Sequence, residues 1–479
     1  MAGVIAARPG KGAGELPLDA SHGWTRGLVI MALLGFALLF AGGASRADEP
    51  QQIAVRLAAI AVIAASLWRL DPAPLRTNRR SLFAVSAVYG LLVLQLVPLP
   101  PELWAQLPGR AVYAEIAQAA GVVGWRPMSL TPDLTLNALF ALLPATAAGV
   151  AAFYLDSAHR RTVWGWVVGA ASFSGTLGLV QLAASGDAFH FYGETSFDSA
   201  VGVFANRNHN AAFLASALPL LGALAGLRLR NSGSGWPVVV ALFAAAAFLL
   251  LTLVATSSRI GIVLALIGSL GAIWCFRVTG ASLGEPRPYP RALAALGVCA
   301  LGGAVAFAAV RLGVVERLAR TDPAAETRTE LIQPLLRTAE AFMPLGSGFG
   351  SFDSVYRQFE PDVLLSTIYM NHAHNEPLQL AIEGGLPGLA LLGLFLAWWL
   401  RTALRISFAD IPSIRRSIAV AAVVVTAILM VASLVDYPLR TPLLSAVFVV
   451  ACVEMMRTAA LRDRRQGHPA ASATRAGQG

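Results

Sequence analysis

The chain has 479 residues, of which 56% are apolar and only 13% charged, and its mean hydropathy is +0.64. A soluble domain carries about 25% charged residues, so most of this surface is excluded from facing water. The net charge of +9 is almost all arginine, with Lys11 the only lysine, and the arginines sit between apolar runs rather than in one stripe. That distribution speaks against nucleic acid and for topology determinants and anion ligands.

Long apolar runs recur along the chain and predict twelve membrane spans, near 27–43, 52–69, 81–98, 135–154, 162–183, 210–227, 236–255, 260–276, 292–311, 377–400, 417–435 and 441–458. Strand alternation of the membrane-barrel type is absent, so backbone satisfaction in lipid makes each an α-helix. The expected fold is therefore an all-α polytopic membrane protein with a helical extracytoplasmic loop domain. Its expected parts are a cytoplasmic segment at 1–26, nine spans in 27–311, a large loop at 312–376, three spans in 377–460 and a disordered tail at 461–479. Ser45-Arg46-Ala47 has the small-x-small form of a signal-peptidase site. The roughly 26 residues before the first run are long for a signal n-region, so that span is expected to be retained.

Alternate connections are basic: Arg76, Arg79 and Arg80, then Arg160 and Arg161, Arg228 and Arg230, Arg277, Arg287 and Arg291, and Arg401, Arg405, Arg415 and Arg416. The positive-inside rule puts these connections and both termini in the cytoplasm. The opposite face then carries the longer loops, near 99–134, 184–209 and 312–376. In the first, Trp104, Tyr113 and Trp125 beside apolar residues suit a segment lying in the headgroup plane. In the third, Leu331, Leu335, Leu336 and Ala339 share a face of a predicted helix over 326–342, and Pro334 argues against one unbroken helix. Cys275, Cys299 and Cys452 form no CxxC, so neither a disulfide framework nor a zinc site is signalled.

The unusual polar residues gather on that longer-looped face. Arg259 ends Thr-Ser-Ser-Arg at a span start, and Arg328 lies in Glu-Thr-Arg-Thr-Glu. The run Asn371-His372-Ala373-His374-Asn375-Glu376-Pro377-Leu378-Gln379 leads into a span holding Glu383 and Gly384-Gly385, and Asp436-Tyr437-Pro438-Leu439-Arg440 joins the last two spans. Each has a structural reading. Span-end arginines commonly snorkel to headgroups, a histidine beside Asn and Pro commonly starts a helix, and Asn206 in Asn206-Arg207-Asn208-His209 is a natural N-cap. Glu383, about two turns into a span, is harder to dismiss, because a lone carboxylate is costly in lipid. Gly346-Ser347-Gly348-Phe349-Gly350-Ser351 imitates a phosphate loop but lacks the strand before it and the GK[ST] after it, so it reads as a flexible turn packing Phe349 and Phe352. His372 and His374 are spaced to face apart on a helix and have no acidic ligand set, so no metal is expected.

In combination these segments are more specific. The chain resembles the O-antigen ligase/polymerase superfamily of bacterial membrane glycosyltransferases. The resemblance rests on His374-Asn375-x-x-Leu378-Gln379, on Glu383-Gly384-Gly385-Leu386-Pro387-Gly388, and on Ser258-Arg259. It rests also on Arg328 upstream of Pro344-Leu345-Gly346-Ser347-Gly348-Phe349-Gly350, and on Asp436-Tyr437-Pro438-Leu439. The family often has Ser-Gly before the loop arginine, whereas Glu326-Thr327 precede Arg328, which leaves Arg317 and Arg320 as alternatives.

The resemblance implies a GT-C-like bundle in the bacterial inner membrane with its site at the periplasmic face. It implies a glycan donor on undecaprenyl diphosphate, a lipid A–core or glycan acceptor, and roles in lipopolysaccharide or exopolysaccharide biosynthesis. Arg259 and Arg328 would clamp the diphosphate, because guanidinium stays charged and grips phosphate oxygens bidentately. His374 would take the acceptor hydroxyl's proton, and one displacement would invert the anomeric centre. Asn375 and Gln379 would orient base or acceptor, Glu383 would hold the other ring nitrogen of His374, and Asn206 and Asp436 would support the site. No cofactor is implied. The competing class is a polytopic transporter or flippase of lipid-linked saccharide; inverted repeats with broken helices would mark it, and no internal repeat is legible.

Overall fold

A computed structural model of the chain describes residues 18–46, 48–69, 73–184, 188–197, 199–231, 236–280, 323–362, 370–408 and 413–466. The helices in the first half are α1 (Leu18–Ala41), α2 (Gln51–Arg69), α3 (Ala73–Thr77), α4 (Arg79–Gln95), α5 (Pro101–Ala105), α6 (Ala111–Ala119), α7 (Pro132–Ala141), α8 (Leu143–Phe153) and α9 (Ser157–Ala183). They continue as α10 (Arg207–Asn231), α11 (Trp236–Ala255), α12 (Arg259–Gly280), α13 (Pro323–Phe342), α14 (Phe352–Tyr356), α15 (Glu376–Ser407), α16 (Ser413–Ala432) and α17 (Pro442–Gln466). Among the described residues the only strands are β1 (Pro98–Leu99) and β2 (Arg126–Pro127), antiparallel with Pro98 opposite Pro127. Among the described residues, eight helical stretches are long and apolar enough to cross a membrane, and Arg26–Ala41 and Val240–Ala255 are apolar but shorter. The chain is an all-α polytopic membrane protein.

Two of the predicted spans look different in the structure, and a third, 292–311, lies outside the described residues. The 81–98 run is the 17-residue α4. The 135–154 run is divided between α7 and α8, where Pro144 in the first turn of α8 brings no amide to a continuous helix. The Ser45–Ala47 site and the tail beyond Gln466 fall partly or wholly outside the described residues.

α10 is the central strut. It packs against α9, α11, α12 and α16, and Ala211 to Ala215 are all fully buried. Small residues set its closeness to α12: a Cβ on Gly222 would meet the Ala272 carbonyl at 2.4 Å, and one on Gly268 would meet that of Ala215 at 2.6 Å. Small residues at such contacts are how membrane helices gain packing without a hydrophobic driving force. The periphery is the reverse, with Phe36, Leu57, Leu67 and Leu394 exposed and apolar, as a lipid-facing surface requires.

A second, smaller core sits over the start of α15, formed by Leu331, Leu335, Ala339, Phe342, Phe352 and Ile382 among others. It differs from the sequence reading at two points. α13 runs through Pro334 as one helix, and Leu336 points outward, 41% exposed, so the apolar stripe is narrower than expected.

The feature that positions the site is a break in α15. Gly385 has φ 57° and ψ −153°, outside helical geometry, and Pro387 follows it. A broken span must have its freed carbonyls satisfied by protein, and here the 344–348 loop does so. The Ser347 amide donates to Ile382 O at 2.9 Å, the Gly348 amide to Glu383 O at 3.0 Å, and the Leu386 amide to Pro344 O at 2.7 Å. Gln95 Nε2 adds a second donor to Glu383 O at 2.9 Å. The expectation of a flexible turn is therefore corrected. Gly346, with φ 81°, has no room for a Cβ, which would lie 2.5 Å from Glu383 O, and the loop is locked to the span because only glycine fits there.

Candidate active site

The site lies where the α15 N-terminus, the α16–α17 connection, and the N-termini of α10 and α12 meet. Asn375 is the N-cap of α15: its Oδ1 accepts from the Leu378 amide at 3.0 Å, and its Nδ2 donates to Leu434 O at 3.1 Å. The Glu376 amide donates to Ser433 O at 2.9 Å. These bonds pin the 372–376 segment to the α16–α17 connection. His374, just before the cap, has φ 49°. A non-glycine residue there carries strain on the order of 1–3 kcal/mol, a feature that concentrates at functional sites.

That conformation aims His374 at Asp436. Its Nδ1 lies 3.3 Å from Oδ1, with the histidine side chain 27% exposed and the carboxylate 1%. The contact is off the hydrogen-bond line, as catalytic contacts commonly are before substrate is bound. Asp436 is otherwise held by donors. Asn208 Nδ2 reaches Oδ2 at 2.7 Å, Asn206 Nδ2 at 3.4 Å, and the Tyr437 amide reaches Oδ1 at 3.0 Å. Burial alone would raise this carboxyl. The adjoining His374 and His209 imidazoles and the Asn208 amide outweigh it and hold the group well below the usual carboxylate range. Asp436 is thus a fixed buried anion beneath a partly open imidazole.

Asn208 links this anion to α12. Its Oδ1 accepts from Ser258 Oγ at 2.7 Å, and that oxygen caps α12 by accepting the Gly261 amide at 3.0 Å. Arg259, exposed and next in sequence, therefore starts a helix whose first turn is tied through Asn208 to Asp436. Asn206 serves as the N-cap of α10, accepting the Asn208 amide at 2.8 Å, so its capping and supporting roles coexist. Tyr437 packs against three imidazoles, its ring centroid 4.3 Å from His372, 4.9 Å from His374 and 5.2 Å from His209.

Glu383 and Gln379 belong to a neighbouring network. Gln379 Nε2 donates to Glu383 Oε1 at 3.1 Å and lies 3.3 Å from His372 Nδ1, and its Oε1 accepts the Ala373 amide at 3.0 Å. Glu383 also accepts from the Phe352 amide at 3.3 Å and lies 3.6 Å from Arg440 Nη2. Arg440 grips Glu376 with two bonds of 2.9 and 3.2 Å. Burial disfavours the Arg440 cation, but Glu376 and Glu383 more than compensate and raise its pKa above the ordinary guanidinium range. The expected pairing of Glu383 with His374 is therefore corrected: Gln379 and Arg440 hold Glu383, and Asp436 takes the His374 ring nitrogen. Glu383 lies a turn or more inside α15, whereas His374 stands before its start.

Of the residues singled out from sequence, His374, Asn375, Asn206 and Asp436 are brought together, Arg259 starts the adjoining helix, and Gln379 and Glu383 form the network behind His372. Arg328 falls on α13, but its side chain lies outside the described residues, as do Arg317 and Arg320 entirely. Asn208, Tyr437 and Arg440 lie inside the same motifs, and the sequence alone assigns them no role. Their signal was adjacency to Asn206 and Asp436.

Residues 244–393 match the family model described as O-antigen ligase, and no curated protein matches the chain. The matched stretch contains Arg259, Arg328, His372, His374, Gln379, Glu383 and the break at Gly385, whereas Asn208, His209 and Asp436 lie outside it. The match over residues 244–393 makes this multi-pass membrane chain similar to the O-antigen ligase family and supports its place in the O-antigen ligase/polymerase superfamily.

Proposed function

We propose that the protein is a glycosyltransferase of the ligase or polymerase type. It moves a glycan from undecaprenyl diphosphate to an acceptor hydroxyl at the periplasmic face of the inner membrane, in lipopolysaccharide or exopolysaccharide biosynthesis. The observation that carries this reading is the His374–Asp436 pair. A buried anion on Nδ1 favours the tautomer that carries the proton there, which leaves Nε2 free to accept one. A hydroxyl needs such a base, a contribution typically worth about 10²–10⁴-fold. The acceptor oxygen attacks the anomeric carbon, the C–O bond to the diphosphate breaks, the hydroxyl proton passes to His374, and the anomeric centre inverts in one step. Arg259 and Arg328 take the charge that grows on the diphosphate, without a metal or cofactor.

The break in α15 is the one observation that favours a transporter, since transporters bind their cargo at broken helices. Against it, the Ile382 and Glu383 carbonyls at the break accept from the Ser347 and Gly348 amides and from Gln95, so protein donors rather than cargo engage them.

With purified protein and lipid-linked donor, His374→Ala is expected to abolish transfer while sparing donor binding, and His372→Ala to be milder. Full turnover by His374→Ala would remove the proposed base. Arg259→Ala and Arg328→Ala are expected to lose most activity, with lysine a poor substitute. Near-normal polymer from Arg328→Ala in cells would shift the role to Arg317 or Arg320. Reporter fusions near Gly348 and at the C-terminus test the topology, and a cytoplasmic signal at Gly348 would overturn the periplasmic assignment.

A further inference from the structure

Among the described residues, the segment between α4 and α7 is the one that carries strands. It is a hairpin closed by the β1–β2 ladder, with α5 and α6 between the strands. Its inner side is tied down. Trp104 Nε1 donates to Pro127 O at 2.8 Å, and the fully buried Arg110 donates to Met128 O at 2.7 Å and Gly346 O at 3.0 Å while packing over Phe342. Its outer side is apolar and open: Trp125 is 69% exposed, Val123 62% and Ile116 60%, with Leu103, Val112 and Val122 also exposed. Arg126, whose guanidinium stacks 5.4 Å over Trp104, lies beside this patch, and Glu115 and Gln118 lie further round α6.

The depth of the hairpin follows from its ties. Gln95 and Gly348, flanking it, both bond the carbonyl of Glu383. Glu383 lies seven residues into α15, about 10 Å along the helix from its start at 1.5 Å per residue. An interfacial segment buries its apolar face about 5–10 Å into the headgroup and acyl boundary. The patch is also continuous with lipid-facing surface, since Val93, Leu94 and Val97 at the end of α4 are exposed and lead directly into β1. We infer that the 97–127 hairpin is a monotopic anchor, immersed in the leaflet on the His374 side, with Ile116, Val123 and Trp125 among the acyl chains and Arg126 at the phosphates. Through Arg110 it fixes the depth of the 344–348 loop, and with it the break in α15, relative to that leaflet.

The test uses the full chain in nanodiscs of phosphatidylethanolamine and phosphatidylglycerol. Hydroxyl-radical labelling of the unaltered protein, read by mass spectrometry, is expected to mark Trp125 weakly despite its exposure in the protein. Environment-sensitive fluorophores on Ile116→Cys and Val123→Cys, in a background with the native cysteines replaced, are expected to be blue-shifted. Lipids brominated high in the acyl chain should quench them, while a probe on Gln118→Cys stays in water. Strong labelling of Trp125, or probes at all three positions open to aqueous quenchers, would overturn the inference. Probes shielded from both water and bromolipid would overturn it as well, since a second copy or another part of the chain would then cover the patch.

Discussion

Replacing Asp436 with Asn keeps the shape of the site and removes its fixed anion. In transfer, His374 becomes an imidazolium 3.3 Å from Asp436 Oδ1. At that distance a unit pair is worth about 5 kcal/mol for an effective dielectric near 20, an upper figure because the imidazole is partly exposed. The variant has a second effect. Asn208 and Asn206 donate to Oδ2 against the single Tyr437 amide at Oδ1, so the retained amide oxygen stays with the two side chains, the Tyr437 bond is lost, and the new NH₂ group faces His374. Nδ1 must then accept, the proton moves to Nε2, and the ring can no longer act as a base. Asp436→Asn is therefore expected to lower single-turnover transfer by about 10²–10⁴-fold, the span a general base contributes, with donor affinity and yield in the membrane little changed. The assay compares transfer and donor binding for both proteins in nanodiscs. Near wild-type turnover would refute the reasoning, because it would show that neither the charge nor the tautomer at His374 matters.

Three further outcomes follow from the surrounding geometry. Burial, the Arg440 cation and His374 hold the His372 ring well below the ordinary imidazole range, so the folded protein keeps it neutral where the unfolded chain binds a proton. Stability from this residue is present above about pH 6.5 and is lost as pH falls below it. Thermal unfolding in nanodiscs should accordingly show His372→Gln losing less stability than wild type between about pH 7.5 and pH 5. Arg440→Ala leaves the fully buried Glu383 without its cation and should cost about 3 kcal/mol, read by the same melts, with Arg440→Lys recovering part. Gly385→Ala places a Cβ 2.3 Å from Pro344 O at φ 57°. It should lose more than the roughly 1–3 kcal/mol of backbone strain alone, with faster amide exchange at Ser347 and Gly348.

The bundle was legible in the sequence because lipid imposes one rule on every span: a run of about 20 apolar residues must be helical. That rule is local, so it found the long helices and placed the polar residues at their ends. It could not find what depends on distant contacts. Pro334 argued for a break and received none, because Leu331, Leu335 and Ala339 bury against the outer core on both sides of it. The glycine loop reads as flexible because its partners, Ser129, Gln95 and the Glu383 carbonyl, come from elsewhere in the chain. Sequence alone points to the wrong partner for His374 for the same reason. Glu383 is close in sequence and a carboxylate, so it looked eligible, but the helix carries it away from the N-terminus that His374 precedes. Asp436 is far along the chain, and the bonds from Asn375 to Leu434, from Glu376 to Ser433 and between Arg440 and Glu376 bring its connection alongside. Those bonds come from the cap of α15, so one local feature, an Asn-Glu-Pro helix start, both begins the span and assembles the proposed base with its anion. A change that weakens the cap should therefore disturb the His374–Asp436 pair as well as the helix.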